Sequence, residues 1–345
     1  LKKLNGMYAF VFHDRLKNEW IAARDPFGIK PLYQPRVDDS LIFASEIKAF
    51  LPFIENQKIN ADSLSDYFSF QLSLNDKTLL DGVNQVMPAH SGWISCAGDM
   101  HIRRYWDVHY NPNFDHTDNF FIEQGRVLLE DSTRLHMRAD VDVGAYVSGG
   151  MDSSLLAIMG QKYQSSNTFK IFNGKFQEGQ AFDESRYAKT VSDENAMDLH
   201  VAEITEKDFV DSIAKVIYHL DTPVAGPGAF PQFMVSKLAS KHLKVVLGGQ
   251  GGDEIFGGYA RYMIAYFEQC IHGAIDGTLN NGNFVVTYES IIPNLTSLHA
   301  YKPLMKEFWS NGLFEDKDQR YFRLINRANT IESMLKPGVI QRERA

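Results

Sequence analysis

The sequence predicts an α/β protein: a parallel sheet with flanking helices, preceded by a partial antiparallel α+β block. Three observations carry this. From about residue 119, apolar runs of strand length alternate with helix-length segments, the order of an open parallel sheet. Two of those runs end in glycine loops that carry acidic residues, at 148–154 and 248–254. Before residue 105, short strand-like runs are punctuated by Pro, Gly and Asn, the pattern of hairpins.

In chain order, residues 7–12 and 18–23 read as strands around a turn at His13 to Lys17. Arg24 to Tyr33 is a Pro/Gly-punctuated loop, Leu41 to Ala44 a strand, and Ser45 to Phe50 the start of a short helix. Asn60 caps a helix running to about residue 71, and Gly92 to Arg104 reads as a hairpin turning at Gly98-Asp99. Residues 109–118 are polar and form the expected linker between domains 1–108 and 119–345. A helix at 119–137 then shows an apolar stripe through Phe121, Val127, Leu128 and Leu135. Strands are expected at 143–147, 168–173, 199–204 and 244–247, and helices at 154–163, 184–195, 207–219 and 231–242. Beyond Tyr259 the chain reads as helical, without a chemical motif.

The composition narrows the function classes. At 345 residues with 44% hydrophobic content, two ordinary cores are affordable. A net charge of −8 and the lack of a Lys/Arg block argue against nucleic acid as a partner. Cys96 and Cys270 are lone thiols without metal or disulfide spacing, and each reads as a small buried hydrophobe. No run is long and apolar enough to span a membrane, and Leu1 to Leu4 is no signal core, so no membrane partner and a cytoplasmic location are expected. His13, His90, His101, His109, His116, His136 and His200 are scattered without i, i+4 or carboxylate partners, and a metal site among them is not expected.

The chemistry is concentrated in the two loops. Ser148-Gly149-Gly150-Met151-Asp152-Ser153-Ser154 follows a strand and opens into a helix. Glycines let backbone amides approach a phosphate, serines add donors, and the helix N-terminus adds partial positive charge. Asp152 beside a phosphate implies an intervening Mg²⁺. Gly248-Gly249-Gln250-Gly251-Gly252-Asp253-Glu254-Ile255-Phe256-Gly257-Gly258-Tyr259 repeats the pattern, with six glycines that permit close approach. Two such loops suggest adjacent strand ends sharing one nucleotide and its metal.

Together these motifs resemble the synthetase domain of glutamine-hydrolysing asparagine synthetases, members of the PP-loop (N-type) ATP pyrophosphatases with an adenine nucleotide α-hydrolase-like fold. Asn5 to Phe10, Arg24 to Tyr33 and Ala44 to Ala49 resemble the end of the family's glutaminase domain, and Phe182 to Ser185 and His219 to Pro223 are also similar. The likeness runs to about Tyr262 and weakens beyond it.

The resemblance implies ATP and Mg²⁺ as cofactors, with aspartate or another carboxylate and glutamine-derived ammonia as substrates. A carboxylate attacks the α-phosphorus of ATP, and ammonia then attacks the acyl-adenylate, giving asparagine, AMP and pyrophosphate. Ser148, Gly149, Gly150, Ser153 and Ser154 would hold pyrophosphate. Asp152 and Asp253 would hold the metal, and Val147, Gly174, Gly248 and Gly249 would border the adenosine. Asp152, Asp253 and Gln250 are the catalytic candidates. Asp183 and Glu184 read equally well as the cap and first turn of a helix or as metal or substrate contacts.

Departures from the family pattern leave alternatives open. Gln250 stands where the family often has a glutamate, and Gly248 where a serine is usual. An amide cannot act as general base, which weakens aspartate as acceptor. A sugar acid, a peptide carboxylate or a β-lactam precursor is the alternative, and a nucleotide-binding fragment without activity another. A tRNA-modifying enzyme is disfavoured, because a cysteine pair and a basic face are both missing. The expected terminal cysteine nucleophile and the family's C-terminal lysine are not in the sequence. The chain is therefore expected to be a central fragment, to use added ammonia and to lack glutaminase activity of its own. Strand edges that such a fragment exposes favour association, and a homodimer is compatible with that.

Overall fold

A computed structural model of the chain describes residues 1–95, 99–111, 113, 115–164, 168–177, 183–222, 226, 228–275, 302–310, 312 and 315–328. The described residues fall into two compact units. One comprises Leu1–Asn111 with Ile217–Gly226 and the stretch from Ile325; the other comprises Pro112–Val216 with Pro227–Leu324.

The first unit is built on two antiparallel sheets. Strands β1 (Ala9–Asp14), β2 (Glu19–Arg24), β6 (His90–Ile94) and β7 (Met100–Arg104) form one, in the order β1-β2-β6-β7. Strands β3 (Tyr33–Val37), β4 (Ser40–Leu41) and β5 (Val83–Gln85) form the other, in the order β4-β3-β5. Ala22, Leu32, Val86 and Ile94 make one apolar cluster, and Tyr33, Ile47, Phe50 and Val83 a second.

Several expectations shift here. The first turn falls at residues 15–18, because β1 runs on through His13 and Asp14 to pair with Trp20 and Glu19. The strand expected at Leu41 to Ala44 ends at Leu41; beyond it only Ala44 bridges, to Tyr33. The helix expected from Ser45 is a 3₁₀ segment, Ile47–Phe53, which carries Pro52 and so cannot complete an α-helical ladder. Helix α1 (Ala61–Phe70) begins where expected, with the Asn60 side chain accepting from the Ser63 amide. The β6–β7 hairpin forms, while Cys96 and Gly98 lie outside the described residues.

Arg24 to Lys30 is held by two buried ionic side chains. Asp25 accepts from the amides of Phe27, Ile29 and Lys30 at 3.0–3.1 Å. The Arg24 guanidinium donates to the carbonyls of Gly28, Lys30 and Val86 and to Gln85 Oε1 at 2.8–2.9 Å. Burial pulls Arg24 below its ordinary pKa, and the neighbouring Tyr33 and Asp25 push the other way. Gly28 sits at φ +64°, where a Cβ would lie 2.7 Å from Pro88 Cγ, so the turn requires glycine.

The second unit is a three-layer α/β/α arrangement. Its all-parallel sheet has the order β10-β9-β8-β11, with β8 (Val143–Tyr146), β9 (Lys170–Phe176), β10 (Asp198–Ile204) and β11 (Val245–Leu247). Ala145, Val147, Phe169 and Ile171 pack on one face with Ala157 of α3 (Met151–Gln161) and Ala188 of α4 (Ser185–Asn195). Phe172 packs on the other with Val235 and Ala239 of α6 (Ala229–Ala239). Phe169, Ile171 and Phe172 are fully buried and contribute about 2–3 kcal/mol each. β8 has Gly144 at its centre because a Cβ there would lie 2.5 Å from the Lys170 carbonyl oxygen.

The remaining helices are α2 (Asp118–His136), α5 (Glu206–Leu220), α7 (Gly252–Phe256), α8 (Ala260–Ile275), α9 (Lys302–Trp309) and α10 (Lys317–Ile325). The apolar stripe expected on α2 is not buried: Phe121, Val127 and Leu128 are exposed and only Thr133 is buried. Glu268 of α8 and Arg320 of α10 form a buried bidentate pair, completed by the Trp309 indole N–H and the Phe308 carbonyl. Arg320 is raised above its ordinary pKa, first by the bond to Glu268. Cys270 is a buried thiol, as expected. Among the described residues no helix is long and apolar enough to cross a membrane.

Candidate functional site

The parallel register places the two glycine loops side by side. β11 pairs in parallel with β8 as Val245↔Val143, Val246↔Gly144 and Leu247↔Ala145, so both strands deliver their loops at the same, C-terminal end of the sheet. Contact between the loops is close. A Cβ on Gly249 would lie 2.9 Å from the Ser153 amide nitrogen and 3.2 Å from the Asp152 carbonyl carbon. A Cβ on Gly252 would overlap the Asp152 carboxylate. The glycines are what allow the second loop to rest on the first turn of α3.

The first loop is braced internally. Gly149 takes φ +101°, and a Cβ there would lie 2.7 Å from the Glu184 carbonyl oxygen. Gly150 is the N-cap of α3 and offers no side-chain cap, which leaves first-turn amides without that partner. The Ser148 amide donates to Ser153 Oγ at 3.1 Å, and the Gly150 amide to Ser148 Oγ at 3.2 Å. The Ser153 and Ser154 hydroxyls donate to the Gly150 carbonyl at 3.2 and 2.8 Å. These hydroxyls reach an anion only by exchanging bonds that now close the loop. Val147, completely buried, anchors the strand end.

In the second loop Gly251 takes φ +98° as the N-cap of α7, and Gly257 takes φ +70° as its C-cap. The Gln250 side chain folds back over Gly248, so that a Cβ at 248 would overlap the Gln250 Oε1 atom. Asp253 is turned toward Gly258. Tyr259 donates to Glu254 Oε1 at 2.7 Å, and that bond is the largest of the effects raising the tyrosine pKa. Gly174 lies on β9, where a Cβ would sit 3.0 Å from Val235.

Neighbouring candidates resolve differently. Asp183 Oδ1 accepts from the Ser185 amide at 2.9 Å, and bonds to Ser185 hold its carboxyl below the ordinary value. It serves the start of α4, whose N-cap is Glu184; Phe182 lies outside the described residues. His200, expected to lack a carboxylate partner, contacts Asp198 Oδ2 at 3.0 Å through Nε2, because alternate residues of a strand share a face. Among the described residues no group of three or more His, Cys, Asp or Glu could hold a metal.

Asn173 was not expected to matter. It is buried on β9, donates from Nδ2 to the Val147 carbonyl at 2.7 Å, and keeps Oδ1 without a hydrogen-bond partner among the described residues. The signal lay in an amide side chain within an otherwise apolar strand core.

Comparison with known proteins agrees with this layout. Residues 124–340 match the family model described as asparagine synthase, and residues 1–106 the glutamine amidotransferase domain. Asparagine synthetase [glutamine-hydrolyzing] 1 of Bacillus subtilis is 35% identical over 260 residues, which is 75% of this chain and 40% of that protein. Amidase chry2 of Gibberella zeae is 30% identical over 277 residues, again 75% of this chain and 40% of that protein. The chain thus spans well under half the length of these two relatives. Among solved structures, an NH3-dependent NAD synthetase from Campylobacter jejuni matches with a TM-score of 0.31 and 13% identity, covering 66% of this chain and all of that one. That likeness is too remote to carry an argument. With the asparagine synthase match covering more than half of its residues, the chain belongs to the asparagine synthase family.

Proposed function

We propose that the α/β unit binds ATP across its two glycine loops and activates a carboxylate for amide formation, as the ligase portion of a glutamine-hydrolysing asparagine synthetase. The observation that carries this is the approach of Gly249 to the Asp152–Ser153 backbone, which brings loops about a hundred residues apart into contact. The first-turn amides of α3 would meet the phosphates with the positive end of the helix dipole. The glycines let phosphate oxygens reach the backbone.

Asp152 and Asp253, one from the first turn of each loop's helix, are the carboxylates that would hold Mg²⁺. Two carboxylates without a third protein ligand suit this ion, which keeps waters and takes substrate phosphate oxygens as ligands. When bound it supplies neutralisation of the triphosphate charge. The chain's own part is positioning, which dominates catalysis of such transfers. A carboxylate oxygen of the acceptor bonds to the α-phosphorus as the bond to pyrophosphate breaks. Ammonia then attacks the acyl carbon, AMP leaves, and the nitrogen loses a proton to water or a nearby base.

Aspartate is the acceptor this reading puts first. Gln250 favours a second reading, a different carboxylate, since its amide takes no proton from the attacking nitrogen. ATP–pyrophosphate exchange across a panel of carboxylates tests both. Exchange stimulated by aspartate supports the first, and exchange stimulated only by a sugar acid or peptide carboxylate supports the second. No exchange with any carboxylate contradicts both.

A further inference from the structure

We propose that Asn173 is a positioning residue for the nucleotide, acting through the Val147 carbonyl to set the course of the phosphate loop; this rests on the reading of that loop as a nucleotide site. β8 and β9 pair at Ala145↔Ile171 and Tyr146↔Phe172, and the Val147 amide donates to the Phe172 carbonyl at 2.9 Å. In a continuing parallel ladder the Val147 carbonyl would next accept from the amide of residue 174. It accepts instead from the Asn173 side chain at 2.7 Å. β9 meanwhile stays paired with β10 as far as Phe176↔Ile204. It is therefore β8 that leaves the sheet here, and an amide side chain fixes the carbonyl of Val147, the residue between the end of β8 and Ser148.

The arrangement has a cost. Asn173 is 3% exposed and its Oδ1 has no partner among the described residues, and a buried unpaired acceptor costs about 1–3 kcal/mol. A leucine of similar size would remove the unpaired Oδ1 but leave the buried Val147 carbonyl without its donor, exchanging one unpaired acceptor for another.

The test compares the whole chain with Asn173→Leu and Asn173→Ser, by hydrogen exchange of the loop amides, titration with Mg²⁺·ATP and thermal melting. Serine is the second variant because it cannot overpack the core, and its hydroxyl is too short to reach the Val147 carbonyl. Both variants are expected to keep a cooperative melt, to exchange faster at residues 148–150 but not elsewhere in the sheet, and to bind Mg²⁺·ATP about tenfold more weakly. Unchanged loop exchange overturns the proposal, as does faster exchange with unchanged ATP affinity. A parent chain that binds no ATP overturns the reading of the site, and loop exchange alone then decides whether Asn173 sets the loop.

Discussion

Asp25 and Asp152 show two uses of a carboxylate beside a glycine turn. Asp25 is 1% exposed, and its oxygens are spent on three amides of its own turn. Asp25→Ala leaves those donors unpaired and is expected to destabilise the first unit by about 3 kcal/mol, seen as a lower urea midpoint. Asp152 has no such bonds to its own turn among the described contacts; its carboxylate lies against Gly252. Asp152→Asn is therefore expected to leave the melting temperature within a few degrees of the parent while abolishing pyrophosphate exchange, since a neutral amide binds Mg²⁺ poorly. Near-parental exchange in that variant would make Asp152 a structural residue. Asp152 was legible in the sequence because its loop has a specific spacing. Asn173 was not, because its significance lies in which carbonyl it meets across the sheet, and strand pairing is invisible in a linear reading.

At the scale of elements, the Asn60 cap of α1 was legible, whereas α3 and α6 begin at Met151 and Ala229, ahead of the expected 154 and 231. Thr117, not singled out in the sequence, caps α2 in the same way, through its side-chain oxygen, because the amides of a first helical turn need acceptors. Thr205 and Asp208 form a reciprocal cap for α5: the Asp208 amide donates to Thr205 Oγ1, and the Thr205 amide and hydroxyl donate to Asp208 Oδ2. The bonds from Thr205 hold the Asp208 carboxyl below its ordinary value of 3.8. A depressed folded-state pKa gives stability that is present above the unfolded value and lost as pH falls through the folded one. Asp208→Asn is accordingly expected to melt below the parent at pH 7, with the difference closing as pH falls below about 4. A difference independent of pH would remove the charge from this cap. Less legible were β5, only three residues with two polar side chains, and α2, whose apolar residues face outward although their spacing is that of a buried stripe. Periodicity reports that a face is apolar, not what covers it.

For the whole molecule, the α/β order and the antiparallel block before it were readable because each layer imposes its own period and turn chemistry. The linear reading placed the two loops at adjacent strand ends, and β11 indeed adds next to β8 rather than at the far edge beside β10. What it could not give was how closely the glycines let the loops touch. That adjacency is the basis for assigning one ligand to both loops. Titration of Mg²⁺·ATP into the whole chain and into Gly249→Val tests it most directly. Valine at 249 would place its Cβ 2.9 Å from the Ser153 amide nitrogen and force the loops apart. The predicted result is one site per chain in the parent and no measurable binding in a Gly249→Val protein that still melts cooperatively. Equal affinity in the two proteins would contradict a nucleotide pocket shared by both loops.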